Sequence, residues 1–174
     1  MNAPSKPTGW VISDGAAGNE RQALALSSAL QVSARVLRID IDAPWRWCAP
    51  RLLLGARDAI HDRQRVPIAP PWPSIAIGCG RSAALLVRGL RRWSAGSCFS
   101  VQILDPRINP KHFDIVVAPR HDGLRGNNVI TTLGALNAVD ARWLADGKSR
   151  FSAFGALPAP RTTVLVGASH AAQH

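Results

Sequence analysis

Short apolar segments alternate with helical patterns along the chain, and several of these segments lead directly into glycines. Residues 10–13 (WVIS) are followed by the glycine-rich loop DGAAG, and residues 74–77 (SIAI) are followed by GCG. In both cases, apolar residues at helical spacing come next. Repeated alternation of this kind predicts an α/β fold with a mainly parallel sheet that is covered by helices on both faces.

The other segments continue this alternation and complete the predicted order of elements. Helices are predicted at residues 19–30, near 52–61, at 81–93 and near 139–146, and further strands at 35–41, 98–104, 114–118, 129–131 and 161–167. Four prolines between residues 67 and 73 remove backbone donors, so this segment is predicted to be a loop that leads into the strand at 74–77.

Cysteine use and hydropathy narrow the class of protein. The three cysteines, Cys48, Cys79 and Cys98, are odd in number and widely spaced, which fits neither a disulfide framework nor a CxxC metal site. The histidines show no metal-ligand spacing with one another or with the cysteines, so no metal is predicted. No cofactor is predicted either. No apolar run approaches the roughly 20 residues that span a bilayer, and no secretory signal begins the chain. We therefore expect a cytoplasmic protein.

The charge of the chain favours anionic partners. Lysine and arginine total 21 against 11 acidic residues, a formal net charge of +10, and most of these basic residues are arginine. Guanidinium groups suit phosphate or an anionic membrane surface, although a biased genome composition would give the same excess. The basic helix predicted at 81–93 could meet acidic lipid headgroups or simply present a solvated face. Without tyrosine or an aromatic–basic recognition motif, the sequence does not favour nucleic acid as a partner.

The loop DGAAGNERQ at residues 14–22 is the first candidate binding segment. Asp14, Gly15 and Gly18 lie between a strand and a helix, where glycines let a ligand approach the backbone and free helix amides attract an anion. Asn19 could instead be a plain N-cap, with Gln22 completing a capping box. The segment is neither a Walker A loop nor a G-x-G-x-x-G fingerprint.

The segment GCGRS at residues 78–82 repeats this arrangement. Gly78 and Gly80 permit a tight turn, and Arg81 at the start of the next helix could pair with a phosphate. A glycine turn beside a solvated arginine is the alternative. Cys79 between the glycines could be a reactive thiol or a small buried filler, of which we favour the filler.

Two further strand exits carry polar residues that serve either as turns or as ligand contacts. Asp105 and Arg107 flank a proline after the strand at 98–104, and Asp-Pro is also a common way to open a turn. Thr132 and Gly134 lie in the segment TTLGAL, where a strand ends in polar residues and glycine.

The pair His121 and Asp122 is the candidate acid/base group. It follows the strand at 114–118 and combines an imidazole that titrates near neutrality with a neighbouring carboxylate. A solvent-exposed histidine without a catalytic role is the alternative. Because ligands of parallel sheets bind beyond the carboxyl ends of the strands, we expect all these segments to lie along one edge.

Five segments, in this order, resemble a known family. They are WVISDGAAGNERQALALSSAL, PSIAIGCGRSAALLVRGLRR, FSVQILDPR, FDIVVAPRHD and LRGNNVITTLGALNAV, and together they cover most of residues 9–140. The family comprises the mitochondrial fission proteins of the elongated-mitochondria group of plants and bacterial proteins described as predicted nucleoside-diphosphate-sugar epimerases. Its members are similar to glycosyltransferases built from two Rossmann-like domains. In those enzymes the N-terminal half takes the acceptor and the C-terminal half takes the nucleotide sugar.

This resemblance implies the domain organisation. Residues 8–157 would form a Rossmann-like three-layer domain, the N-terminal half of a two-domain glycosyltransferase-like architecture. Residues 158–174, which begin in the proline-containing stretch FGALPAP, would be a linker and the first strand of a truncated second domain.

The resemblance also implies two alternative functions. In the first, His121 or Asp122 is the general base toward an acceptor hydroxyl at a cytoplasmic membrane face. The glycine loops, with Arg81 and Arg107, would then hold the phosphate or pyrophosphate of a nucleotide sugar or phosphorylated acceptor. In the second, which the fission label implies, the chain is a non-catalytic membrane-associated or protein-binding module.

Overall fold

The protein is represented by a computed structural model that describes residues 8–164. Its strands are β1 (Thr8–Ser13), β2 (Ser33–Ile41), β3 (Ile60–Asp62), β4 (Ile75–Cys79), β5 (Phe99–Ile103), β6 (Ile115–Pro119) and β7 (Val129–Thr132). The α-helices are α1 (Ala17–Ala29), α2 (Trp45–Cys48), α3 (Ala56–Ala59), α4 (Arg81–Trp93) and α5 (Ala141–Arg150). Short 3-10 helices occur at Pro110–His112, Arg120–Asp122 and Ser152–Ala156.

The seven strands form one sheet in the order β3-β2-β1-β4-β5-β6-β7. Every neighbouring pair is parallel except β2 and β3, which run antiparallel. The prediction of an α/β fold with a mainly parallel sheet is therefore confirmed. The strand order matches the 3-2-1-4-5-6 order of Rossmann-like domains, with one further strand beside β6.

Helices cover both faces of this sheet, as the sequence predicts. On one face, α4 buries Leu86 and Leu90, which pack in a cluster that also holds Phe113. On the other face, Ala23 of α1 packs in a cluster with Val11 and Ile77 of the two central strands. The central strands are therefore buried on both sides, which explains why their sequences are almost continuously apolar.

The segment between β2 and β4 differs from the sequence prediction. A helix was expected near residues 52–61, but α3 covers only Ala56–Ala59. Residues 60–62 instead form β3, which pairs with residues 39–41 of β2 at the edge of the sheet. The short helix α2 was not predicted. A strand of three residues has too little sequence to show a period, so its partner on β2 determines its conformation.

The chain divides after Ala138 into two compact units. The first contains the whole sheet, and the second contains α5, whose N-cap Asp140 accepts a hydrogen bond from the Trp143 amide at 2.7 Å. Residues 161–164 have no regular structure, and the rest of the strand predicted at 161–167 lies outside the described residues. The domain boundaries 8–157 and 158–174 stay a prediction.

Candidate functional site

The strand order reverses between β1 and β4, and the surface between the β1–α1 and β4–α4 loops at this point is called the crevice. The chain moves from β1 outward to β2 and β3, and then returns to β4 on the other side of β1. Both central strands are parallel, so α1 and α4 begin beside each other at the carboxyl edge of the sheet. In doubly wound sheets this reversal point is where ligands bind.

The loop between β1 and α1 is shaped by short-range hydrogen bonds. The Ser13 hydroxyl accepts a bond from the Gly15 amide at 2.9 Å, and a carboxylate oxygen of Asp14 accepts one from the Ala16 amide at 3.0 Å. Gly15 adopts a φ of 86°, a conformation that side chains rarely allow. Ala16 is the N-cap and provides no side-chain bond, so the first-turn amides of α1 have no cap.

The loop between β4 and α4 also contains a glycine of positive φ and also leads into a helix without a side-chain cap. Gly80 is the N-cap, with a φ of 89° and a ψ of 176°, and no side chain caps this helix either. The Gly80 carbonyl accepts a bond from the Gln102 side-chain amide at 3.1 Å. A Cβ at Gly78 would lie 2.6 Å from Val87 Cγ2, so that glycine lets α4 pack closely on β4.

Asn19 connects the two loops. Its side-chain oxygen accepts a hydrogen bond from the Cys79 thiol at 3.6 Å, and a Cβ at Gly80 would lie 2.7 Å from its Nδ2. Because α1 begins at Ala17, Asn19 is inside the first turn and the capping-box alternative with Gln22 is wrong. Burial, and next the charge of Asp14, raise the pKa of Cys79 to about 12. Its thiol is therefore neutral at physiological pH, which favours the filler role over the reactive one.

Several charged side chains lie around the loop between β1 and α1, and the sequence alone did not indicate them. The Arg63 guanidinium lies against Gly15, and its Nη2 donates to the Asp14 carbonyl at 3.1 Å. Glu20 accepts two hydrogen bonds from Arg38, at 2.8 and 2.6 Å. These bonds from Arg38, together with its charge, lower the pKa of Glu20. Arg63 is 49 residues from Asp14 in the chain, and no local motif indicates that they meet.

The exits of β5 and β6 lie along the same edge, farther from the crevice. Asp105 accepts a bond from the Arg107 amide at 2.7 Å and pairs with its guanidinium at 3.6 Å. His121 Nε2 lies 3.4 Å from Asp122 Oδ1, and the His121 side chain is 75% exposed. This pair follows β6, which is two strands, or about 10 Å along the sheet, from β4.

Two of the remaining candidate residues, Thr132 and Gln22, make hydrogen bonds within the protein. The Thr132 hydroxyl donates to the Gly134 carbonyl at 2.8 Å, which closes a turn after the edge strand β7. Gln22 Oε1 accepts a bond from the Leu136 amide at 3.2 Å. A Cβ at Gly18 would meet only open space. The parallel topology thus brings all five predicted segments to one edge. The β1 and β4 loops are in contact through Asn19, and the bond between Gln22 and Leu136 joins the first segment to TTLGAL. The ligand-binding and catalytic roles of these residues stay predictions.

Within residues 8–164, no group of three or more histidine, cysteine, aspartate or glutamate side chains is arranged to hold a metal ion. In the same part of the chain, no helix combines the length and the apolar character needed to cross a membrane.

The strand order, with its reversal between β1 and β4, and the two covered faces define a doubly wound α/β protein of the Rossmann-like class. Comparison with known families specifies it further: a model of the family Mitochondrial fission ELM1 matches residues 17–174, and the chain belongs to this family. The resemblance in the sequence is therefore confirmed.

One curated relative is the mitochondrial fission protein ELM1 of Arabidopsis thaliana. It is 31% identical, over 55% of this chain and 28% of the relative. The chain therefore matches only about a quarter of that protein's length. No solved structure matches the chain.

Proposed function

We propose that this chain is the acceptor-side half of a glycosyltransferase-like protein, and that the crevice between β1 and β4 binds a phosphate or diphosphate. The ligand would be a phosphorylated acceptor or a nucleotide sugar. The observation that supports this is the paired start of α1 and α4: both helices lack a side-chain cap and both follow a glycine of positive φ.

Unpaired amides at a helix start carry partial positive charge and bind anions. Two such helix starts lie side by side here, and the Arg63 guanidinium stands against Gly15 at the rim. Arg81 is exposed at the first position of α4. A diphosphate between the loops would accept backbone hydrogen bonds from both helices and charge-assisted bonds from the arginines.

The catalytic step would use the β6 exit. A sugar attached to a phosphate in the crevice would extend across β5 toward His121, which follows β6, about 10 Å from β4 along the sheet. The imidazole would take the proton from the acceptor hydroxyl as its oxygen attacks the anomeric carbon of the donor sugar, and the bond from that carbon to the nucleoside diphosphate would break and release the diphosphate. The adjacent Asp122 carboxylate would stabilise the imidazolium that forms. Arg107 follows β5, which lies between β4 and β6. Its guanidinium is largely exposed and could therefore contact the same ligand.

The first prediction concerns binding in the crevice. Isothermal titration calorimetry with nucleoside diphosphate sugars and polyprenyl phosphates should show that at least one of them binds. Arg63→Gln should weaken it by about ten- to a hundredfold, because a charge-assisted hydrogen bond contributes about 1.5–3 kcal/mol. Arg150→Gln removes the same charge from an exposed position on α5 and should leave the affinity unchanged. If no ligand binds, or if both variants weaken binding equally, the crevice is not the site.

A non-catalytic module at an anionic membrane surface is the second candidate. It is favoured by α2 and the turn after it, where Trp47 is 67% and Leu54 86% exposed beside Arg46 and Arg51. Apolar and arginine side chains together suit the membrane interface. Absence of nucleotide-sugar binding, combined with vesicle binding that falls steeply with salt, would support this candidate and a peripheral location on the cytoplasmic membrane face.

A further inference from the structure

A concave site lies at the other end of α4. This groove has a volume of about 380 Å³, and its lining includes Arg88, Arg91 and Arg92, with His112 and Leu53 beside them. Helix α4 runs from the carboxyl edge of the sheet back to the opposite edge, over about 20 Å. The groove is therefore remote from the crevice, and the proposed function does not use it.

The three arginines share one face of the helix. Positions i, i+3 and i+4 lie next to each other on a helix surface, so Arg88, Arg91 and Arg92 place three guanidinium groups together. His112 faces them from the 3-10 helix that follows β5. Like charges at this spacing repel each other, and the cluster therefore costs the free protein stability.

Acceptors within the protein neutralise only part of this charge. Arg91 pairs with Asp114 at 2.9 Å, but that carboxylate also accepts two bonds from Ser100. Arg88 donates to the backbone carbonyls of Pro50 and Arg51, which carry no net charge. No hydrogen bond or ion pair joins the Arg92 side chain to any residue between 8 and 164.

Capping of α4 does not account for the cluster. Backbone amides already satisfy the last carbonyls of the helix: Ser94 donates to Leu90 at 2.9 Å, Ala95 to Arg92 at 3.2 Å, and Gly96 to Arg91 at 2.9 Å. Arginine side chains are therefore not needed as hydrogen-bond donors at this terminus. An external anion would relieve the repulsion and pair with the free guanidinium of Arg92.

We propose that the groove formed by Arg88, Arg91, Arg92 and His112 binds a phosphomonoester group. The Arg92 guanidinium offers a complete fork of paired donors that matches phosphate oxygens, and the N–H groups of Arg88 and Arg91 that are not bonded to Pro50, Arg51 or Asp114 add further donors. A dianion also neutralises more of the charge than a diester does. The phosphomonoester belongs either to a soluble molecule or to a lipid headgroup, since both present the same chemistry to the groove.

The electrostatics of the groove agree with this assignment. Burial, and next the charges of Arg88 and Arg91, lower the pKa of His112. Burial, and next the charge of Arg92, lower the pKa of Arg88. Burial and the neighbouring arginine charges thus disfavour the protonated forms of His112 and Arg88 in the free protein. A bound phosphate would favour the imidazolium and raise the pKa of His112.

The second prediction uses His112 as a reporter. We expect the pKa of His112, followed by NMR in the 174-residue chain and assigned with His112→Asn, to rise in inorganic phosphate relative to chloride at matched ionic strength. Arg92→Gln should weaken phosphate binding by about ten- to a hundredfold. Arg150→Gln is the control of equal charge and should keep the response. If phosphate leaves the His112 pKa unchanged, or if Arg92→Gln responds like the parent, the proposal is wrong.

Vesicles distinguish the two sources of the phosphate. Phosphatidic acid carries a phosphomonoester, whereas phosphatidylglycerol carries a diester, so vesicles of equal surface charge can be compared. Preference for phosphatidic acid that is lost in Arg92→Gln would identify a lipid headgroup. A phosphate response of His112 without this preference would identify a soluble ligand.

Discussion

At the residue scale, glycines divide into those that the backbone requires and those that it does not. Gly80 has a φ of 89° with extended ψ, a region that is almost exclusive to glycine, and Asn19 occupies the space beside it. Gly18 has helical geometry and open space around the position of a Cβ. In the sequence the two look alike, because each follows a strand and precedes a helix.

The third prediction compares these glycines. Gly80→Ala should destabilise the protein by about 1–3 kcal/mol, because the substitution forces a strained backbone and moves Asn19. Gly18→Ala should stabilise it by up to about 1 kcal/mol, because alanine favours the helix. Guanidinium denaturation followed by circular dichroism measures both changes in the free energy of unfolding. Equal effects of the two substitutions would contradict the loop geometry described above.

At the element scale, helix α4 was predicted most accurately. Its bounds, Arg81–Trp93, agree with the predicted 81–93, because a strong apolar stripe is flanked by glycine and arginine. Helix α1 begins two residues before its predicted start at residue 19. Asn19 does not cap the helix, and within the described residues no other side chain does. That missing cap is also the feature that makes the start of α1 available to an anion.

The fourth prediction places a cap at Ala16, whose extended backbone suits one. Ala16→Asp and Ala16→Ser should both stabilise the protein by about 0.5–2 kcal/mol. The aspartate additionally places a negative charge where the phosphate would bind, so Ala16→Asp should weaken crevice binding much more than Ala16→Ser does. Calorimetry with the ligand found for the parent measures this difference. Equal affinities in the two variants would show that the ligand does not approach the start of α1.

At the scale of the whole molecule, the sheet and both hydrophobic clusters are built from residues before Ala138. In the second unit, α5 has no buried residue, and Phe151 and Phe154 stack on each other while remaining more than half exposed. The apolar core is therefore a property of the first unit.

The fifth prediction follows from this division. A chain that ends at Ala138 should fold and unfold cooperatively with a denaturation midpoint close to that of residues 1–174. A chain that ends at Asn128 lacks β7 and should be markedly less stable, because β6 would lose one of its two parallel neighbours. Denaturation of the three chains provides the measurement. Loss of cooperative unfolding in the chain that ends at Ala138 would contradict the prediction.

The sequence alone was sufficient for the α/β class, the position of α4, the family and the glycine loops that end β1 and β4. These properties depend on local periodicity and on residues with special backbone freedom, which can be recognised in short segments. The sequence was not sufficient to predict β3, the contact of Arg63 with the loop between β1 and α1, or the arginine groove. Each of these joins residues far apart in the chain, and only the packing of strands and helices determines which distant side chains meet.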